Sequence, residues 1–220
     1  MNDLAGPPFK RARNAQSKSE RRRSILDAAQ HLFRAGRKLP KVDDIATASG
    51  LAKGTVYLYF DSREEIYLTL VQEQLEKQFA ALECMLEDSP TLAPDVFSKW
   101  LMRYICDEPA FLPLACIVTL VIEQNLKSGL AVTYKRQLDQ DVSRVGQKLE
   151  RAMIGLKPGQ GARLLLALHS YLIGLWQNSH GMRTSGPLKS LPVLRVSFEE
   201  DALQGIHALS RGFVALSLRD

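Results

Sequence analysis

The sequence has no long apolar run, and this absence excludes a membrane-spanning helix. Its longest apolar stretch without a charged residue, residues 109–122, is shorter than the roughly 20 residues needed to span a bilayer. The first residues, MNDLAGPPFKRARN, contain no apolar segment followed by a small-residue cleavage site, which a secretion signal requires. We therefore expect a cytoplasmic protein that does not contact a membrane.

Cysteine and histidine are scarce, and neither has the spacing of a metal or catalytic site. The three cysteines form no C-x-x-C pair, and their odd number favours reduced thiols, with a redox sensor as the alternative. The four histidines lie on different predicted helices or at helix ends, and outside any H-E-x-x-H motif. We therefore predict no metal, no cofactor and no enzymatic activity. The residues concerned are Cys84, Cys106, Cys116, His31, His169, His180 and His207.

Alternation of apolar and polar residues, the pattern of a half-buried strand, is absent throughout. Apolar residues recur instead every three or four positions, which indicates amphipathic helices and an all-α fold. Pro113 predicts a kink in its helix, and Ser197 with Glu200 predicts a capping box. The predicted helices cover residues 21–36, 42–48, 52–60, 62–86, 91–106, 108–126, 129–155, 158–180 and 198–217.

The excess of positive charge is confined to the N-terminal part of the chain. Residues 1–65 contain 13 Lys and Arg against 8 Asp and Glu, whereas residues 66–220 contain 16 of each. A local basic field of this kind suits a polyanionic partner. We predict a flexible basic tail over 1–20, a helix-turn-helix DNA-binding domain over 21–65, and a helical-bundle domain for ligand sensing and dimerisation over 66–220.

The segment VDDIATASGLAKGTVYLYF (42–60) has the spacing of a helix-turn-helix. Such a motif requires a small residue where the helices cross, a turn residue that tolerates positive φ, and apolar anchors facing the core. Ala46 and Gly50 meet the first two requirements, and Ile45, Leu51 and Val56 meet the third. The spacing alone also fits an ordinary helical hairpin in which Gly50 is only a cap.

A longer stretch, from Arg22 to Ile66, resembles the DNA-binding domain of the TetR (tetracycline-repressor-like) family. The resemblance is carried by ILDAAQHLF (25–33), Gly36, residues 42–60 and SREEIYLTL (62–70). It implies a three-helix DNA-binding domain in which the second helix of the motif enters the major groove. It further implies that double-stranded operator DNA is contacted by Lys41, Lys53, Gly54, Thr55, Tyr57, Tyr59 and Arg63.

Lys41 departs from the family pattern, which more often has Thr or Ser as a helix cap and phosphate contact at this position. A lysine ammonium group cannot accept a backbone hydrogen bond, so we expect the helix start to be weaker there. The ammonium group could instead contact a phosphate.

The resemblance over residues 71–220 is weaker, so the pattern of residues must contribute more there. Helix 158–180 is apolar on nearly all sides, and helix 198–217 combines large residues with small ones that permit close helix approach. By resemblance these helices form a four-helix homodimer interface; the alternative is that they pack within one subunit. The interface residues so predicted are Leu168, Leu172, Leu175, Gly205, Leu209, Gly212 and Phe213.

Aromatic and polar-tipped side chains among apolar helices indicate a cavity for an unknown small-molecule effector. The candidates are Trp100, Tyr104, Asn125, His169 and Trp176, each of which could equally belong to the core or to an interface. The resemblance implies a repressor that binds a palindromic operator as a dimer and is released by the effector. Alternatives are an activator, an effector-independent DNA-binding protein, an interaction module, or an enzyme built on a helical bundle.

Overall fold

The computed structural model of the chain describes residues 8–36, 39–89, 91–117, 128–181 and 196–217. The described residues form α-helices joined by turns and contain no strand, which confirms the all-α prediction. The helices are α1 (Pro8–Gly36), α2 (Val42–Ser49), α3 (Lys53–Tyr57), α4 (Arg63–Asp88), α5 (Pro94–Asp107), α6 (Phe111–Ile117), α7 (Ser128–Ala152), α8 (Gln160–Gly181) and α9 (Phe198–Ser217).

The chain divides into two compact units, whose boundary lies between Leu70 and Val71 within α4. The sequence placed this boundary five residues earlier, between 65 and 66. We call residues 1–70 the N-terminal unit and residues 71–220 the C-terminal unit.

The first helix is longer than predicted, because it begins at Pro8 and not at Arg21. Residues 8–20, predicted as part of a flexible tail, are therefore helical. Apolar residues do not recur at a helical spacing in this segment, so the sequence pattern did not predict a helix there. Extending an existing helix costs far less than nucleating one, and Lys, Arg, Ala and Gln are good helix formers. Proline at the first helical position lacks only a donor that would have no intrahelical partner.

The N-terminal unit packs around large side chains from its four helices. Phe33 of α1 lies against Tyr67 of α4, with ring centroids 6.1 Å apart. Arg22 of α1 places its guanidinium group 4.9 Å from the centre of the Phe60 ring. The fully buried members of this core are Ile25, Leu26, Phe33, Ile45, Val56, Phe60, Ile66, Tyr67 and Leu68.

The turn between α2 and α3 depends on Gly50, which has φ 69° and ends α2 in the left-handed conformation. Its N–H donates to the Thr47 carbonyl at 3.2 Å, and the Leu51 N–H donates to the Ala46 carbonyl at 2.9 Å. Both bonds satisfy carbonyl groups that the end of α2 would otherwise leave open. Glycine is the residue that adopts this φ without strain, as the sequence predicted.

The C-terminal unit is a helical bundle in which α8 is central. Helix α8 packs against α6, α7 and α9, and α9 also packs against α5. The loop before α5 is joined to the end of α7 by a hydrogen bond from the Leu92 N–H to the Ala152 carbonyl, 2.8 Å long. None of the described helices is both long and apolar enough to cross a membrane.

The structure alters the basis of two local predictions in this unit. Pro113 is the third residue of α6, where its missing donor breaks no helical hydrogen bond, so no kink is required. At the start of α9 it is Asp201, and not Glu200, whose carboxylate accepts from the Ser197 N–H, at 2.9 Å. The acidic side chain that caps α9 thus lies one residue further into the helix than a capping box has it.

Candidate DNA interface and ligand cavity

The short helix α3 has one buried side and one open side. Val56 is fully buried and holds α3 on the core, while Lys53, Gly54 and Tyr57 face outward. Tyr57 is 45% exposed, which is unusual for a large aromatic side chain in a packed unit. Thr55 and Tyr59 are half-buried beside them. The predicted recognition surface is therefore available to a partner.

Leu58, 79% exposed, lies between Tyr57 and Tyr59 and was not among the predicted contacts. It caps α3 at its C-terminal end. An apolar side chain at this place could contact a thymine methyl group in a major groove. The sequence pattern did not predict that Leu58 is exposed, because an apolar residue close to the buried Val56 is normally assigned to the core.

An open concavity of about 400 Å³ lies beside α3 within the N-terminal unit. Its lining includes Tyr57 and three further predicted DNA contacts, Lys41, Lys53 and Arg63. The sequence did not predict its acidic residues as part of a site, because Asp43 and Glu64 lie in the first turns of helices, where the helix dipole sufficiently explains an acid. The lining residues are Lys41, Val42, Asp43, Lys53, Tyr57, Asp61, Ser62, Arg63 and Glu64.

Two of the cations in this concavity are paired with carboxylates. The Lys53 ammonium group lies 2.9 Å from Asp43 Oδ1, and this hydrogen bond and charge raise the pKa of Lys53. The Arg63 guanidinium group donates to Glu64 Oε1 from Nη2 at 2.9 Å and from Nε at 3.2 Å. A phosphate that approaches either cation meets a carboxylate as well.

At the start of α2, the side chain of a helical residue accepts a hydrogen bond from the backbone of Lys41. The Lys41 N–H donates to Asp44 Oδ2 at 3.1 Å, so the third residue of α2 satisfies the backbone donor of the residue that precedes the helix. Lys41 itself is exposed, which leaves its ammonium group open to a phosphate. At the start of α4, Ser62 Oγ accepts from the Glu65 N–H at 3.1 Å.

A cavity of about 80 Å³ lies inside the C-terminal unit. Its described lining contains no Asp, Glu, Lys or Arg, and its polar groups belong to Gln78, Trp100, Tyr134 and His169. The apolar wall comes from α4 to α8: Leu75, Phe79, Leu82, Phe97, Leu101, Ile105, Phe111, Leu112, Leu138, Val142, Leu165, Leu166, Leu168 and Leu172.

The five predicted ligand residues divide between this cavity and other surroundings. Trp100 and His169 line it, whereas Tyr104 stacks on Trp100 with ring centroids 5.7 Å apart. Trp176 stacks on His180, with ring centroids 4.5 Å apart, and is not part of the described lining of the cavity. Asn125 lies outside the described residues.

Burial lowers the pKa of the His169 imidazole below its ordinary value. The cause is desolvation, which disfavours the charged form, and no described lining residue offers a carboxylate to offset it. His169 therefore presents a neutral imidazole, able to donate from one ring nitrogen and accept at the other.

Three of the residues predicted for the dimer interface make contacts within one subunit. Leu168 and Leu172 are 2% and 5% exposed and face the cavity, so they belong to the core of one subunit. A Cβ at Gly205 would collide with the Tyr171 ring, so Gly205 allows α9 to approach α8 within the chain. Leu175, Leu209, Gly212 and Phe213 are half-buried.

Comparison with known protein families agrees with this architecture. Residues 25–70 match the family described as bacterial regulatory proteins, tetR family. Residues 72–215 match the tetracyclin repressor-like C-terminal domain. The chain belongs to the TetR family. It is accordingly a DNA-binding transcriptional regulator and not an enzyme, and α2 and α3 form the helix-turn-helix of its TetR-type N-terminal domain.

Individual TetR-family relatives resemble different parts of the chain. It is 35% identical over 69 residues to the HTH-type transcriptional regulator YfiR of Bacillus subtilis (strain 168), a match that spans only 34% of YfiR. It is 26% identical over 183 residues to YhgD of the same organism, covering 73% of this chain and 86% of YhgD. The structure of Bacillus subtilis FadR in complex with stearoyl-CoA shares the fold, with a TM-score of 0.51, 18% identity, and coverage of 84% of this chain and 97% of FadR.

Proposed function

We propose that the chain is a repressor that binds a palindromic operator as a homodimer and is released by a small, uncharged, largely apolar effector. The observation that carries the proposal is the cavity of the C-terminal unit, whose described lining is apolar and without formal charge. A regulator that only occupied DNA would need no such space in its second unit. Well-packed cores rarely keep voids larger than a water molecule.

The lining also indicates the class of effector. A charged group transferred into this cavity would lose its hydration without gaining an ion pair, which costs several kcal/mol. A hydroxyl, ester or ketone could instead exchange hydrogen bonds with His169 or with the Trp100 ring N–H. We therefore propose an apolar body that carries one or two neutral polar atoms.

Dimerisation is supported by apolar side chains that the subunit leaves open on α8 and α9. Leu166 of α8 and Leu203 of α9 are exposed, and Leu175, Leu209 and Phe213 are half-buried. Homodimer interfaces bury apolar surface of this kind. Two subunits would present two copies of α3 to half-sites about 34–36 Å apart, or a multiple of that spacing.

The test begins with duplexes selected from a random library by the purified protein. Binding of the selected duplex is then titrated with butanol, methyl butanoate, butanoate and butanoyl-CoA. FadR is solved with stearoyl-CoA, which makes the acyl-CoA an informative member of this set. We expect the two neutral compounds to weaken DNA binding by roughly 5 to 150-fold, and the DNA to weaken their binding by the same factor.

A cavity-filling variant separates specific from unspecific effects of these compounds. Leu138→Trp fills the cavity from its half-buried wall on α7. Val132→Trp enlarges an exposed residue of the same helix that is not part of the described lining. Only Leu138→Trp should abolish the response. Compounds that stabilise the protein but leave DNA affinity unchanged would show an occupied cavity without a switch, and DNA binding would then be independent of the effector.

A further inference from the structure

The ion pair between Asp43 and Lys53 joins the two helices of the helix-turn-helix across its turn. Asp43 lies in the first turn of α2, and Lys53 is the first residue of α3. The ammonium group contacts both carboxylate oxygens, at 2.9 and 3.1 Å. The side chains are 61% and 55% exposed, so the pair adds little to stability. Its effect must therefore be sought in what the surface binds.

The pair is part of a wider balance of charge on this surface. The described lining of the concavity contains three cationic side chains and three carboxylates, so its formal charge is zero. Residues 1–65 as a whole carry an excess of positive charge. The cancellation is thus local to the surface beside α3.

A neutral surface matters because non-operator DNA is held almost entirely by electrostatics. Its affinity depends on how many phosphates the protein neutralises, since each one releases counterions. A lysine held by a carboxylate neutralises no phosphate until the pair opens. On an operator, the ammonium group can stay on Asp43 and donate its third hydrogen to a base edge, whereas on non-operator DNA Lys53 contributes only if the pair opens.

We propose that Asp43 is a specificity-determining residue: by holding Lys53, it lowers affinity for non-operator DNA more than affinity for the operator. The inference rests on the DNA interface described above and adds a residue that need not contact DNA. Asp43 keeps Lys53 beside Tyr57 at the concavity and makes the protein selective at the expense of total affinity.

The test replaces the carboxylate with an amide of the same shape, Asp43→Asn. Binding to a random-sequence 30-base-pair duplex and to a selected duplex is measured by anisotropy over a salt series. For the random duplex we expect the slope of log affinity against log salt to steepen by about 0.9 per subunit, with up to about tenfold tighter binding near 0.1 M salt. Affinity for the selected duplex should change less, so the ratio of the two affinities falls.

Asp27→Asn is the matched control, because it removes the same charge from the same unit. Asp27 is also 61% exposed and forms an ion pair, with Arg23 at 2.8 Å, but it is not part of the described lining of the concavity. This variant should leave the salt slope nearly unchanged. In a Lys53→Gln background, Asp43→Asn should no longer steepen the slope, since no cation is left to be freed.

The possible outcomes distinguish this inference from the proposed interface. Equal effects of Asp27→Asn and Asp43→Asn would assign the change to net charge and overturn the inference. A selective wild-type protein whose slope is unaltered by Asp43→Asn would overturn the inference alone. A wild-type protein that binds no duplex selectively would overturn the interface and this inference together.

Discussion

Gly54 is a glycine that the free protein does not require. It is exposed, its φ is not in the left-handed region, and a Cβ built on it meets no atom within 4 Å. A constraint at this position would come from a bound partner, because a bare backbone permits close approach.

We therefore expect Gly54→Ala to separate stability from DNA binding. The free energy of unfolding should stay the same or rise by about 0.5–1 kcal/mol, since alanine restricts the unfolded chain. Affinity for the selected duplex should fall by about tenfold, roughly 1.4 kcal/mol, because the added methyl group lies between α3 and the groove. Urea unfolding and anisotropy measure the two quantities. Full affinity in the alanine variant would remove Gly54 from the interface.

From the burial of His169 we predict that the free energy of unfolding depends on pH. Because burial lowers its folded-state pKa, the unfolded chain binds more protons than the folded one as the pH falls below about 6.5. Its contribution to stability is therefore complete above that pH and is lost below it. Wild type should lose more stability between pH 7 and 5 than His169→Gln, measured by urea unfolding. His31→Gln, which removes an exposed histidine of α1, is the control; equal pH dependence in wild type and His169→Gln would contradict the argument.

The sequence predicted residues whose role follows from local geometry. Ala46, Gly50 and Val56 were found because a helix-turn-helix fixes what each position must do. Asp43 was missed because its partner, Lys53, is ten residues away across a turn. A first-turn acid already has a local explanation in the helix dipole. Only the folded turn brings the two charges together.

At the scale of helices, α7 and α8 approach each other backbone to backbone. A Cβ built on Gly146 of α7 would lie 2.5 Å from the Ala162 N and 2.8 Å from its Cα. The Glu150 carboxylate of α7 accepts from the Gly161 N–H at 2.8 Å, which caps the start of α8. This crossing fixes α8, which carries His169 and one wall of the cavity.

Gly146→Ala should therefore destabilise the protein by about 1–3 kcal/mol, the usual cost of overpacking. The obstacle is backbone, which cannot move aside as a side chain can. Gly174→Ala on α8 is the matched control, because a Cβ there meets nothing within 4 Å. Urea unfolding compares them. Equal stability of both variants would show that the helices separate at little cost.

The sequence predicted where the helices lie along the chain better than it predicted what each side of a helix contacts. The period of apolar residues located α4, α7, α8 and α9, but α8 is apolar on nearly all sides. Such a pattern does not say which side faces a partner and which faces a cavity. Leu168 and Leu172, predicted for the dimer interface, lie on the side of α8 that lines the cavity. Helix α1 shows the reverse case, since a solvated helical extension leaves no apolar pattern.

For the whole molecule, the dimer proposal depends on the open side of α9. Gly212 is half-buried, and a Cβ there meets nothing within 4 Å, so a larger residue fits within one chain. We expect Gly212→Arg to yield a folded monomer at micromolar concentration in sedimentation, with weaker binding to the selected duplex. Gly129→Arg, on an exposed part of α7, should remain dimeric. A monomeric wild type, or a dimeric Gly212→Arg, would contradict the proposed interface.

The most direct test of the account is the affinity of a selected duplex for a protein that lacks two side chains of the recognition surface. The Lys53→Ala, Tyr57→Ala variant removes one cation and one exposed ring; the control, Lys99→Ala, Val96→Ala, removes a cation and an exposed apolar side chain from α5. We predict that the first variant folds normally and loses at least about tenfold in affinity, while the control binds as wild type does. Wild-type affinity in the first variant would contradict the assignment of α3 as the element that binds DNA.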